Sequence, residues 1–369
     1  MKWPTRQFGF ASGTSLLAGR TALIAGTIVV VFFYAIAIFA DLLATNDYRA
    51  QSRLEPMAPP SSLHFRDSAG NWQLRPFIYA RRLVDPLERR YEENPGQPYR
   101  LGLFTRGYSY KLFGLFTTDL HLLGIQNATS AETPRLHLLG TDGLGRDRFS
   151  RLLIATRFSL LVGPLGTLLA GGLGILIGLV AGYSASRVDA LLMRAADVMM
   201  ALPTLILILA MRAAFPLELS PTRAAILLII IFVILGWAEM ARLARGLTLE
   251  LRQREFTQAA VSVGCSPARV LFYHILPNAS GPLITQLFLM LPAFLLAETS
   301  LSFLGVGLQE PEASWGNLLT EASNITLLER SESWPLLTPA LAIIGFVFGI
   351  RLLGKGLESN NEAINDQAL

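Results

Sequence analysis

The chain of 369 residues is poor in the residues that build metal sites, disulfide scaffolds and charged surfaces. It has one cysteine, Cys265, and four histidines, none of which are spaced as HExxH or HxxxH. These counts exclude a disulfide framework and argue against a metal centre. Charged residues make up only 16% of the chain and hydrophobic residues 52%. That balance excludes an ordinary water-soluble enzyme.

Long uncharged runs predict instead a protein that crosses a membrane six times. A spanning helix needs about 20 apolar residues, and the first run is longer than the apolar core of a signal peptide, about 7–15 residues. The expected spans are 21–40, 159–183, 191–211, 224–238, 282–297 and 334–350. The fold class expected is therefore an all-α integral membrane protein.

The distribution of Lys and Arg predicts that both termini are cytoplasmic. With the N-terminus inside, the four inner segments carry twelve basic residues, and the two short outer loops carry three. Basic residues collect in short cytoplasmic loops, whereas a long loop such as 46–158 escapes that rule. The positive charge is dispersed, so the sequence does not indicate a nucleic-acid partner.

Composition divides the chain into three predicted regions: a cytoplasmic N-terminus with the first span (1–45), an extracytoplasmic insert (46–136) and a transmembrane domain (137–369). The insert is rich in proline and in aromatic residues, and disordered linkers are poor in aromatics. Residues 64–67 and the segment from Trp72 onward predict two strands around a turn that carries Gly70. The insert is interpreted either as a spacer or as a docking surface.

The second span carries two consecutive GxxxG steps, at Gly174, Gly178 and Gly182. Small residues four apart allow another helix to approach closely. The partner helix is either a neighbour in the same bundle or a helix of a second chain.

A glycine-rich segment precedes the second span and contains Gly140, Thr141, Asp142, Gly145, Arg146 and Asp147. Apolar residues at helical spacing follow over 149–160 and predict a short amphipathic helix at the outer interface. The glycines do not form GxGxxG and no convincing strand precedes them, so a nucleotide site is not expected.

The longest inner loop, about 240–280, predicts two short helices that meet at a glycine. A helix over 254–263 would end at Gly264, which suits a left-handed C′ position. Ser266 would cap a second helix with Pro267 at its first position, and Pro277 would end or kink that helix. Together the two helices make a compact knuckle.

The knuckle offers a candidate contact surface. The small residues Ala259 and Ala260, with Gly264, leave a smooth face that another protein could grip. Such a loop is also compatible with a purely structural role.

Three charges lie within or beside the expected spans. Arg194 and Asp197 are spaced i, i+3 on one helix and can pair. Glu298 closes the fifth span, where its side chain either reaches water or lines a translocation path.

Four motifs in order give the sequence a family resemblance. Gln258-Ala259-Ala260, Gly264 and Ile275-Leu276-Pro277 resemble the EAA loop of permease subunits of ATP-binding-cassette importers. The segment 139–153, which includes Arg151, resembles the LGTDxxGRDxxSRLL signature of C-subunit dipeptide and oligopeptide permeases. The connection 182–203 and the segment 298–307 are similar to two further parts of that family. The resemblance covers about residues 137–355 and leaves out the insert. This sequence differs from the family at Gln258, where the family has a glutamate.

The resemblance implies a type I importer permease fold that forms half of a translocation path in the bacterial inner membrane. It implies four kinds of partner: a second homologous permease subunit, two cytoplasmic ATPases, an extracytoplasmic substrate-binding protein and membrane lipid. The ATPases would grip the coupling loop through Glu255, Gln258, Ala259, Ala260, Gly264, Ser266, Pro267, Ile275, Leu276 and Pro277.

This chain itself is expected to be neither an enzyme nor a cofactor protein, with ATP and Mg²⁺ bound on the partner ATPases. The near match to a P-loop at 349–355 has Gly356 in place of the Mg²⁺-binding hydroxyl. An ATP-independent secondary transporter or channel is the main alternative, but it would need midplane charges and often internal repeats. An intramembrane enzyme would need a histidine inside a span, and none lies there.

Overall fold

The computed structural model describes residues 13–66, 70–112, 114–126, 134–184, 186–216, 218–324 and 334–367. Residues 1–12 of the predicted cytoplasmic N-terminus, 67–69 of the predicted turn and 325–333 of a predicted outer loop lie outside that set. The helices are α1 (Gly13–Ile38), α2 (Ala40–Leu43), α3 (Arg148–Tyr183), α4 (Ser186–Ala201), α5 (Thr204–Ala213), α6 (Pro221–Arg252), α7 (Glu255–Ser262), α8 (Pro267–Arg269), α9 (Leu276–Phe303), α10 (Trp315–Ala322) and α11 (Thr338–Gln367). A π-helical turn, Val270–Ile275, joins α8 to α9, and a 3₁₀ turn, Trp334–Leu337, precedes α11.

Five helical segments of the described chain are long and apolar enough to cross a membrane: α1, α3, α6, the continuous run Pro267–Phe303, and Trp334–Ser359. The expected third span, 191–211, is wrong as a single helix because α4 and α5 meet at a bend of 87°. Pro203 sits at the break and precedes α5 as its N-cap. A residue before proline is disfavoured in the helical region, which explains a break at Leu202.

The helix that follows the glycine-rich segment is longer than expected. The expected separate amphipathic helix is wrong, since α3 runs unbroken for 36 residues from Arg148 and includes Pro164. Asp147 caps it, with its carboxylate accepting the N–H of Ser150 at 2.8 Å. The apolar spacing over 149–160 is therefore the first part of a spanning helix.

The GxxxG steps of α3 face α6 in the same chain. A Cβ atom on Gly174 would lie 2.5 Å from the carbonyl oxygen of Trp237, and one on Gly178 would collide with that of Ala241. The two backbones are therefore in direct contact, as small residues permit. Of the two open interpretations, the structure shows contact within one bundle.

The insert adds four antiparallel strands to this helical membrane fold: β1 (His64–Arg66), β2 (Trp72–Asp85), β3 (Arg90–Leu112) and β4 (Phe116–Ile125), in the order β1-β2-β3-β4. The predicted pairing of β1 with β2 is confirmed, and Gly70 has φ of +86° at their connection. The sheet contacts α2 through His121, whose ring nitrogens lie 3.1 and 3.0 Å from the carbonyl oxygens of Asp41 and Tyr108.

We call the end of the bundle that carries β1–β4 the sheet end, and the opposite end the loop end. α3 and the C-terminal half of α6 run together to the loop end, where α7, α8 and the π-helical turn form the knuckle, residues 255–275. α9 returns from the loop end to the sheet end.

Candidate functional site

The knuckle has the capped geometry that its sequence predicts. α7 ends at Ser262, and Gly264 follows with φ of +84°. Ser266 accepts the N–H of Arg269 at 3.4 Å, and Pro267 occupies the first turn of α8. A residue with positive φ favours glycine because a Cβ atom is strained there.

Two side chains of α7 cap the C-terminal end of α6, a feature that no sequence motif indicated. Thr257 is fully buried and donates its hydroxyl to the carbonyl of Leu251 at 2.8 Å. The Gln258 amide donates to the carbonyl of Arg252, also at 2.8 Å. The last four carbonyls of a helix lack the i+4 hydrogen bond of the helix interior, so both side chains supply donors where α6 ends. The Leu251 carbonyl also accepts the backbone N–H of Arg254 at 3.1 Å. The interaction at position 258 requires a donor, which glutamine has and an ionised glutamate lacks.

The knuckle is fused to a spanning helix, contrary to the expectation that Pro277 ends or kinks α8. The π-helical turn Val270–Ile275 carries the helix on, and Pro277 lies in the first turn of α9. A π turn is wider than an α turn, so it gives the proline ring room that an α-helix interior denies. The helical run Pro267–Phe303 therefore connects the knuckle to the sheet end.

One side of the knuckle packs on the bundle. Val270 and Ile275 are fully buried in a cluster with Leu179 of α3, and Leu251 of α6 packs against that cluster. Ala260 is also buried, at 7% exposed, so the expected small-residue face is wrong at this residue. A force on the knuckle thus reaches three helices.

The outer side of the knuckle is open and partly apolar. Val263 is 81% exposed and Tyr273 is 76% exposed, with Phe256 and Val261 also exposed. The remaining candidate coupling residues divide as follows: Glu255, Gln258, Ala259, Gly264, Ser266, Pro267 and Pro277 are exposed, and Leu276 is half-buried. Exposed apolar side chains clustered on one projection are typical of a protein interface.

A cavity of about 660 Å³ lies among α4, α5, α6 and α9. Its lining is mostly apolar, but Glu239 of α6 and Gln286 of α9 meet in it with a hydrogen bond of 3.0 Å. The expected span 224–238 stops just before Glu239, whereas α6 continues for a further 13 residues beyond Glu239 to Arg252. A charged residue inside a spanning helix faces protein or water rather than lipid.

The charges expected to pair within one helix do not do so. Asp197 forms an ion pair with Arg242 of α6 and not with Arg194. In the part of the chain that the structure describes, Arg194 is exposed and has no ion pair. A second pair, between Asp189 and Arg245 with Nη2 at 2.6 Å from Oδ2, also ties α4 to α6. Both aspartates of α4 therefore form ion pairs with arginines of α6 that lie about 50 residues further along the chain.

Glu298 is fully buried, so neither alternative for it is supported. It accepts the hydroxyl hydrogen of Ser302 at 2.9 Å, one turn along α9. It does not line the cavity, although Ala297 and Ser300 do. Its other carboxylate oxygen, Oε2, is buried and has no hydrogen-bond partner among the described residues.

At the sheet end, two arginines of the signature segment meet one acidic residue from the loop after α9. Asp142 accepts Nε of Arg146 at 2.6 Å and the backbone N–H of Arg146 at 2.8 Å. Arg151 is 1% exposed and donates to both oxygens of Glu310, at 3.0 and 3.1 Å, and Arg146 also pairs with Glu310. This set ties the start of α3 to the end of α9.

The same segment is anchored to residues 52–58. Thr141 accepts the N–H of Ala58 at 2.7 Å. Gly140 and Gly145 both have φ of +72°, and a Cβ atom on either would collide with the backbone of Ala58 or Ser52. His137 Nδ1 lies 2.8 Å from Asp147, and its Nε2 lies 3.5 Å from Glu55. Burial opposes the charged imidazolium, but Asp147 and Glu55 outweigh that cost and raise the pKa of His137 to about 9.

The several membrane-length helices with a projecting knuckle define a multi-pass membrane protein, and sequence comparison names its family. The model for "Binding-protein-dependent transport system inner membrane component" matches residues 174–360, half of the chain. The chain belongs to this family. Membership favours a permease subunit over an ATP-independent transporter or channel.

Curated relatives are similar over about three fifths of the chain. The oligopeptide transport system permease protein OppC of Bacillus subtilis is 34% identical over 233 residues, 63% of this chain and 73% of that protein. The probable D,D-dipeptide transport system permease protein DdpC of Escherichia coli is 36% identical over 221 residues, 60% of this chain and 71% of that protein. Among solved structures, a chain of the "Crystal structure of an amino acid ABC transporter with histidines" is 18% identical to this chain, with a TM-score of 0.36. The match covers 58% of this chain and 95% of the transporter chain, and a TM-score this low carries no argument.

Proposed function

We propose that this chain is one of two permease subunits of a bacterial ATP-binding-cassette importer for dipeptides, oligopeptides or related solutes. The substrate class is supported by the names of the relatives, which are oligopeptide and dipeptide permeases. A second homologous permease would complete the path, and an extracytoplasmic binding protein would deliver the solute. ATP and Mg²⁺ would bind to two cytoplasmic ATPases and not to this chain.

The observation that carries the proposal is the knuckle. It projects from the loop end, presents exposed apolar side chains outward, and is continuous through the π turn with spanning helix α9. Its inner side packs on α3 and α6 through Val270 and Ile275. A partner that moves the knuckle would therefore move three spanning helices together, which suits a rigid-body change of access.

We propose that the solute passes through the cavity. It lies where α4 and α5 bend and where Glu239 and Gln286 meet, and a second subunit would close its open side. Asp197 and Arg242 are exposed on the same helices. Exposed charges in spanning segments suit a water-filled path better than a lipid contact.

The excess of basic residues supports an orientation with the loop end and both termini in the cytoplasm. The sheet end and insert 46–136 then face outward, where a binding protein docks. Single cysteines in a Cys265→Ser background test this with an impermeant thiol reagent on intact cells. We expect labelling of Arg90→Cys but not of Glu362→Cys, and labelling of Glu362→Cys would overturn the orientation.

Reconstitution tests the transport function. The full complex with its ATPases and binding protein, placed in proteoliposomes, should accumulate a labelled tripeptide when ATP is supplied. A non-hydrolysable ATP analogue should abolish uptake, and a protonophore should leave it intact. Uptake without ATP hydrolysis would contradict the proposal in favour of secondary transport.

A further inference from the structure

The turn between β3 and β4 lies against the outside of the helical bundle. A groove of about 420 Å³ is lined on one side by Lys111 and Gly114 of this hairpin. Its other side is formed by α1 and α3, including Ile38 and Leu161. The hairpin thus reaches down from the sheet and along two spanning helices.

The depth of this groove can be read from two charges. Asp41 follows the uncharged run of α1, and Arg157 precedes that of α3. These two side chains pair at 2.8 Å, so they mark the same level at the edge of the apolar band. The groove extends from this pair to Tyr34, nearly two turns or about 10 Å further along α1.

The hairpin tip, residues 114–116, is apolar and open. Leu115 is 77% exposed and Phe116 is 68% exposed. Large apolar side chains at the level of a membrane boundary are stabilised by lipid rather than by water. The neighbouring surfaces of α1 and α3 are likewise apolar and exposed, as at Phe32 and Leu161, so the groove is continuous with the lipid-facing surface of the bundle.

The charges of the groove favour an anionic group. Arg157 is neutralised by Asp41. Lys111 is exposed, and within the described residues the structure gives it no ion pair. One positive charge is therefore left beside an apolar groove, which suits a phosphate with an attached acyl chain.

We propose that the hairpin tip inserts into the membrane interface and that the groove binds one phospholipid. Its acyl chain lies against Ile38 and Leu161, and its phosphate lies near Lys111. This site is separate from the coupling loop and the translocation cavity, and it does not rest on the proposed transport function. It would fix the insert at a set height on the bilayer.

Photocrosslinking in nanodiscs tests this with the full chain and its co-expressed partner subunits. p-Benzoylphenylalanine in place of Leu115 should yield a phospholipid adduct by mass spectrometry. The same probe in place of Leu74, which is 99% exposed on β2 and two strands away from β4, is the matched control and should yield none. A crosslink from position 115 to a partner subunit, equal lipid adducts at both positions, or no adduct at all would each overturn the site.

The phosphate contact has its own variant. Lys111→Gln should lower the phosphatidylglycerol adduct at position 115 about fivefold, the effect of one basic residue near an anionic surface. The phosphatidylcholine adduct should change less. Arg106→Gln on the same strand, 86% exposed, is the control and should leave both adducts unchanged. An unchanged phosphatidylglycerol adduct with Lys111→Gln would remove Lys111 from the site.

Discussion

Replacing Gly264 with valine should uncouple the ATPases from the membrane helices without unfolding them. Gly264 has φ of +84°, and a Cβ atom there meets no other atom of the described chain within 4 Å. The cost inside the chain is therefore backbone strain rather than a clash. A left-handed conformation costs an L-residue about 1–2 kcal/mol, and a branched side chain lies at the upper end.

A strain of about 2 kcal/mol corresponds to roughly a thirtyfold lower population of the native knuckle relative to conformations that relieve it. The added side chain would also project into whatever protein contacts this surface. We expect peptide uptake and co-purification of the ATPases to fall at least tenfold, since 1.4 kcal/mol is a factor of ten. Both are measured on one preparation, by uptake into cells and by detergent pull-down.

Gly305 supplies a matched control. It has φ of +73°, its Cβ would also meet nothing within 4 Å, and it follows α9 at the sheet end. Gly305→Val imposes similar strain far from the knuckle, so ATPase co-purification should persist. Equal loss in both variants would show general misfolding, and normal co-purification with Gly264→Val would refute the role of the knuckle.

Gln258 should matter less than Gly264. Gln258→Ala removes one exposed hydrogen bond to the Arg252 carbonyl, worth about 0.5–1.5 kcal/mol. Uptake should fall by no more than about tenfold, and Gln258→Glu, which also lacks the donor, should behave similarly. Higher uptake with Gln258→Glu would show that a charge contact outweighs this hydrogen bond.

Three further predictions concern stability, measured as the thermal midpoint of the purified protein. Gly178→Val should lower the midpoint, because overpacking the α3–α6 contact costs about 1–3 kcal/mol of stability. Gly172→Val, with open space around its Cβ, should have little effect. Arg151→Gln should cost about 3 kcal/mol, the low end for a broken buried pair because Glu310 reaches solvent, and an Arg106→Gln control should cost less than about 1 kcal/mol. The pKa of His137 is raised to about 9, so its charged form stabilises the fold below pH 6.5, and this contribution is lost as the pH rises through about 9. His137→Gln should therefore reduce the fall of the thermal midpoint between pH 6.5 and about pH 9.

Local chemistry made the knuckle predictable from sequence. The limits of α7, the left-handed residue at Gly264 and the cap at Ser266 each depend on residues within a few positions. Five of the six expected spans were predictable for the same reason, because a run of apolar residues is a local property. The effect of Pro277 was not, since a π turn upstream changed the constraint on the proline ring.

Ion pairs within the bundle were not predictable because they depend on which helices become neighbours. The spacing of Arg194 and Asp197 favoured a local pair, yet α4 packs on α6, and α6 presents Arg242 to Asp197. Arg151 likewise finds Glu310, 159 residues away. Most of the sheet was missed for a related reason: β3 contains Pro95, Pro98 and several charges, so it lacks the alternation that indicates a strand.

The three parts of the candidate site meet on α9. At the loop end α9 begins from the π turn of the knuckle, and midway Gln286 reaches the cavity. At the sheet end it leads to Glu310, held by Arg146 and Arg151. Because interdigitated cores resist gradual deformation, the coupling proposed for the knuckle predicts that this helix is displaced together with the side chains packed against it.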